Sequence, residues 1–129
     1  MRALIVVAAA AALAAAACAH GPRPLEPVGA FSFETMYQGQ PMTGKIVIDP
    51  GAAEGQYEGV VQPDQGAPAV PILEVTVLER EMTIVGDAGG DELYIVLTFD
   101  EDGVAFTGSW MIGFEGSPMT GKRMQPADG

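Results

Sequence analysis

From Ala30 onward apolar and polar residues alternate with a period of two, and turn signals interrupt them at short, regular spacing. Successive side chains on a strand point to opposite faces, so this pattern specifies half-buried antiparallel strands. It predicts eight of them, at 31–37, 42–48, 56–61, 72–78, 81–86, 92–99, 104–112 and 119–124. No helical window competes. The charge-rich stretch Glu74 to Glu81 carries Val75, Thr76 and Val77, whose branched or alternating side chains suit a pleated surface. The fold class is therefore all-β: an eight-stranded antiparallel up-and-down meander closing into a small barrel.

Residues paired across an antiparallel turn have numbers with a constant sum, so each turn fixes a register. Asp102-Gly103, read as a type I′ loop, sets Phe99 opposite Phe106, Leu97 opposite Gly108 and Ile95 opposite Trp110 on one face. The other face then opposes Thr98 to Thr107 and Tyr94 to Met111. A turn at Glu79-Arg80 sets Val77 opposite Met82 and Val75 opposite Ile84. The run Tyr37 to Lys45 recurs as Phe114 to Lys122, an offset of 77 residues. Gly39-Gln40 and Gly116-Ser117 fit Gly-first two-residue loops, or the centres of four-residue loops with the same register. Either choice puts Phe33 opposite Ile46 and Trp110 opposite Arg123. If the last strand pairs with the first, the two copies become neighbours at one rim, as a two-part site or as one hairpin solution used twice. Gly44, Gly59, Gly108 and Gly121 fall on the inward face, where glycines let a narrow barrel bend. Phe31, Phe33, Tyr37, Tyr57, Phe99, Phe106 and Trp110 are then expected nearly to fill the lumen.

Ahead of this pattern, Arg2 precedes the apolar run Ala3 to Ala17, the layout of a secretory signal and too short to span a bilayer. Ala15-Ala16-Ala17-Cys18 resembles the lipobox of bacterial lipoproteins, with Ala15 where that family usually has Leu. The resemblance implies a lipidated Cys18 as the mature N-terminus. Ala19 after it points to the outer membrane, with the domain facing the periplasm. The alternative is ordinary cleavage after Ala19, leaving His20 first. The expected organisation is a signal peptide at 1–17, Cys18 and a flexible Pro-containing tether at 18–30, the barrel at 31–124 and a disordered tail at 125–129.

Composition narrows the chemistry. A chain of 129 residues holds one domain, and its net charge of −11 repels nucleic-acid phosphate. The sole histidine, His20, lies in the tether, so Ser32, Ser109 and Ser117 lack an imidazole base and no catalytic residue is assigned. Zinc sites fail for the same want of His and Cys. The acidic turns Asp100 to Gly103 and Asp87 to Asp91 lack the spaced ligands of a calcium loop. No metal or cofactor is assigned. A remote alternative is Cu(I) on the thioethers of Met36, Met42, Met111 and Met119, of which alternation turns Met42 and Met119 inward and the other two outward.

The run from Val75-x-Val77 through Leu93 to Phe99, then Asp102-Gly103, Thr107-Gly108 and the closing Gly121-Lys122, resembles the small calycin-type β-barrel modules of bacterial envelope proteins. The resemblance spans most of residues 31–124 and carries no catalytic residues. Lipocalins, a related group, pack a first-strand Trp against a basic residue on the last strand. Here Arg123 suits the second role, but Trp110 lies on the seventh strand. The reading is a non-catalytic envelope lipoprotein acting as an interaction or scaffold module, with Tyr94, Val96, Met111 and Met124 as its outer apolar patch. The alternative is a carrier of a small apolar or anionic ligand, with Arg123 beside Trp110 in the lumen, stacking on the indole or meeting a ligand carboxylate. Its partners would be the membrane, through the N-terminal lipid, and an envelope protein or small ligand.

Overall fold

The computed structural model describes residues 24–125. Eight strands follow one another: β1 (Gly29–Tyr37), β2 (Gln40–Pro50), β3 (Tyr57–Pro63), β4 (Val70–Leu78), β5 (Glu81–Ala88), β6 (Asp91–Phe99), β7 (Ala105–Ile112) and β8 (Glu115–Arg123). Each pairs antiparallel with the next, and β8 pairs with β1 to close the barrel. Closure leaves no sheet edge to template association. The signal peptide, Cys18 and its lipid, the tether up to residue 23 and the tail from residue 126 lie outside the described residues.

Two registers follow the turn arithmetic directly. Across β6 and β7, Phe99 faces Phe106, Ile95 faces Trp110 and Tyr94 faces Met111. The connection is longer than a type I′ loop: Asp100 N–H donates to the Ala105 carbonyl and Gly103 N–H to the Asp100 carbonyl, and Gly103 alone takes a positive φ, of 74°. Two- and four-residue loops share one sum, which is why the pairing is unaffected. Across β4 and β5, Val77 faces Met82 and Val75 faces Ile84.

The two repeat hairpins are corrected by the structure. In the first, Gln38 and Gly39 form the loop with φ of 51° and 76°, so Phe33 faces Gly44 and Phe31 faces Ile46. A type I′ loop needs positive φ at both central residues, and Gly39 serves it in second place. In the last hairpin Gly113, with φ 61°, carries the turn, so Trp110 faces Ser117 rather than Arg123. The two copies of the repeat therefore do not sit on equivalent turns, although both reach the same rim.

Alternation also breaks once. Leu73 is an extra residue in β4, where Ile72 pairs with Gly86 and Glu74 with Val85. This bulge lets Ile72 and Val75 both face inward and leaves Leu73 63% exposed. Elsewhere one face of every strand is core, built from Phe31, Phe33, Ile46, Ile48, Met82, Ile84, Ile95 and Leu97, all below 3% exposure. The inward glycines are where strands come closest. A Cβ at Gly59 would collide with the Val47 carbonyl oxygen, one at Gly108 with that of Val96, and one at Gly121 with that of Ser32. Phe33 lies over Gly44 and Phe106 over Gly121, so aromatic rings cover the gaps that these glycines leave.

Candidate lumen site

The meander gives the barrel two unlike ends. The upper rim carries the turns 38–39, 64–69, 89–90 and 113–114; the lower rim carries the turns 51–56, 79–80 and 100–104 together with the incoming chain. The lower half is full. Phe31, Phe99 and Phe106 pack edge-on or tilted, with centroids 5.7 Å apart for Phe31–Phe99, 6.5 Å for Phe31–Phe106 and 5.2 Å for Phe99–Phe106. Such arrangements suit the ring quadrupoles.

The segment 24–28, expected to be flexible tether, instead crosses the lower rim and seals it. Leu25 is buried at 6% exposure against the core, and Pro27 is buried too. Arg123 holds this strap. Its Nη1 donates to the Val28 carbonyl at 3.1 Å, its Nη2 to the Glu26 carbonyl, and its Nε to the Gly103 carbonyl at 3.4 Å. The guanidinium carbon stands 4.7 Å from the centroid of Phe31, within cation–π range. Burial pushes the Arg123 pKa down, and the nearby Glu26 carboxylate pulls it back up. Arg123 and Trp110 are thus not one site. Trp110 faces Ser117, six residues up β8 from Arg123, or about 20 Å along the strand. The aromatic partner of the last-strand cation is Phe31 of β1, its neighbour across the closing seam.

The upper half is hollow, against the expectation of a nearly filled lumen. A cavity of about 290 Å³ opens at the upper rim. Phe33, Ile95, Trp110 and Met119 line its inner wall, while Tyr37 and the loop residues 67–69 frame the mouth. Small residues make the space: Ala67, Ala69, Ala88 and Gly89 stand where larger side chains would reach across. The short ladder of β3 and β4, three residue pairs from Gly59–Ile72 to Val61–Val70, lets the 64–69 loop span that gap. The loop is pinned at its start, where Thr43 Oγ1 bonds the Asp64 carboxylate at 2.9 Å and Asp64 N–H donates to the Thr43 carbonyl.

Polar groups on the wall are already engaged. Trp110 Nε1 donates to Thr35 Oγ1 at 2.8 Å, and that hydroxyl donates to the Pro118 carbonyl at 2.6 Å. Tyr37 tilts against Trp110 with ring centroids 5.7 Å apart and is 36% exposed at the mouth. Tyr57, expected inside, is half-buried against the core. Thr35 is flanked across both ladders by Met42 and Met119, which line the cavity; Met36 and Met111 are exposed on the outer face, so the four thioethers do not converge.

On the outer surface Tyr94 and Met111 form an exposed cross-strand pair, 44% and 49% accessible, with Val96 and Met124 half-buried. In the β6–β7 turn Asp100 and Asp102 share a hydrogen bond that holds the Asp100 carboxyl below the usual carboxylate range and Asp102 above it. Both accept from Val104 N–H, so these acids brace the turn. Among the described residues, no three His, Cys, Asp or Glu side chains gather into a metal-binding group.

No protein-family model matches the chain, and no curated protein matches it. Solved structures do. A redesigned β-barrel aligns with a TM-score of 0.58 at 13% identity, over 77% of this chain and 91% of its own. A second redesigned β-barrel, mFAP1 bound to DFHBI, aligns with a TM-score of 0.55 at 13% identity, over 75% and 94%. The fatty-acid-binding protein 1 of Echinococcus granulosus aligns with a TM-score of 0.48 at 12% identity, over 77% and 98%. The shared fold is a small closed antiparallel β-barrel. At these identities the likeness is one of fold; the site is this barrel's own. The strap and the 67–69 mouth went unread in the sequence. Their only signals were one large apolar residue, Leu25, among prolines, and small apolar residues where a loop is normally polar.

Proposed function

We propose that the barrel is a non-catalytic carrier that holds a small apolar molecule in its upper lumen. The observation behind this reading is the cavity itself: about 290 Å³, open at one rim, walled by apolar side chains and closed below by packed rings. An apolar cavity of about 150 Å³ suffices for benzene, so this one suits a bicyclic molecule. Binding of naphthalene or camphor by calorimetry is the direct test, with Ala88→Phe as the variant that fills the space. Uptake by the wild type and its loss in the variant support the reading; no uptake by the wild type contradicts it.

In the same reading the chain is exported and Cys18 carries lipid. Its N-terminal segment would then leave from the lower rim, so the anchored end is the sealed one and the mouth points away from the membrane. Intact mass of the mature protein tests this, since an unmodified chain beginning at His20 would remove the anchor. The exposed Tyr94–Met111 pair favours a second reading, an interaction module that docks on the β6–β7 outer face. Charge substitution at Met111 would then abolish partner capture while leaving apolar uptake intact.

A further inference from the structure

We infer that the upper lumen selects neutral ligands and rejects anionic ones, the carboxylates of free fatty acids among them; this rests on the carrier reading above. Two independent features carry it. First, none of the cavity-lining residues is charged, and the only polar side chains among them are those of Tyr37 and Trp110. The indole N–H is committed to Thr35, and the Tyr37 side chain stands at the solvent-exposed mouth, so a carboxylate drawn past it would meet neither a cation nor a free side-chain donor. Arg123, packed over the Phe31 ring, lies at the opposite end and spends its donors on the carbonyls of Glu26, Val28 and Gly103.

Second, the mouth itself is acidic. Asp64, Asp87, Asp91, Glu92 and Glu115 all fall on upper-rim turns or the strand ends beside them, and all are exposed. No Lys or Arg occurs in the segments 36–41, 63–70, 87–92 or 112–116 that make this rim. The charges that these rim segments carry are therefore all negative, and they repel an anion over roughly a Debye length, about 8 Å at physiological salt. A neutral guest of the same shape meets neither obstacle, so access and binding discriminate in the same direction.

The experiment compares two near-isosteres, 2-acetylnaphthalene and 2-naphthoate, on the wild-type mature protein. Trp110 is the only tryptophan of the chain and lines the cavity, so its single indole N–H resonance reports occupancy. The ketone is expected to shift that resonance saturably, and the carboxylate to bind at least about 100-fold more weakly. Apparent naphthoate affinity should also rise about tenfold for each pH unit from about pH 8 to about pH 6, as the neutral acid becomes more abundant. Equal affinity for the two, or naphthoate affinity independent of pH, overturns the selectivity and leaves the carrier reading standing. If the ketone fails to bind at all, the carrier reading falls and this inference with it.

Discussion

Gly121 shows how strongly one missing side chain shapes the barrel. Its α-carbon sits where the β1–β8 seam and the Phe106 ring leave no room, and an added Cβ would strike the Ser32 carbonyl. Gly121→Ala is therefore expected to lower stability by about 1–3 kcal/mol, the cost of overpacking a tight site, read as a fall in the urea midpoint. Gly39→Ala is the contrast: its φ of 76° is strained for alanine, but nothing lies within 4 Å, so about 1 kcal/mol is expected. Arg123→Met should cost about 2 kcal/mol, because three carbonyl contacts vanish, and should speed amide exchange in the strap. Unchanged exchange at Val28 would show that the guanidinium does not hold it. The inward glycines were legible from alternation alone, since each falls in phase with neighbouring apolar positions. The surroundings of Arg123 were not: they depend on which glycine turns the β7–β8 hairpin, and Gly113 does so in place of Gly116.

At the scale of strands, legibility followed turn chemistry. All eight strands were visible because each pairs a period-two pattern with polar or glycine-rich boundaries, and registers were right wherever the turn had one even-length solution. Register slips in the repeat hairpins moved partners by even numbers of residues, which preserved every inward face while shifting neighbours along the barrel. The β4 bulge had no such signal, because Ile72, Leu73 and Val75 read equally well in either phase. Ladder length has a consequence for dynamics. β3 and β4 share three residue pairs where β5 and β6 share eight. Amides of 59–61 and 70–72 should therefore exchange faster than those of 82–86 and 93–97 in native-state hydrogen exchange. Equal protection would mean that the seam beside the 64–69 loop is no weaker than the rest.

For the whole molecule, what matters is how side-chain volume is distributed along the barrel axis. Alternation says which residues face inward but not at what height, so a list of seven inward aromatics predicted a full lumen. The staggered registers gather Phe31, Phe99 and Phe106 low, with Leu25 and the Arg123 clamp beneath them, and leave Trp110 and Phe33 facing open space. One end is thereby plugged and the other is an open, apolar chamber. The most direct measurement is methyl and indole NMR of the wild-type protein titrated with 2-acetylnaphthalene. Shifts are expected at Ala88, Ile95, Met119 and the Trp110 indole N–H, with Leu25, Val75 and Ile84 silent. Shifts centred on Leu25 and Ile84, or confined to the outer residues Leu73, Leu78 and Met111, would contradict a chamber at the upper rim.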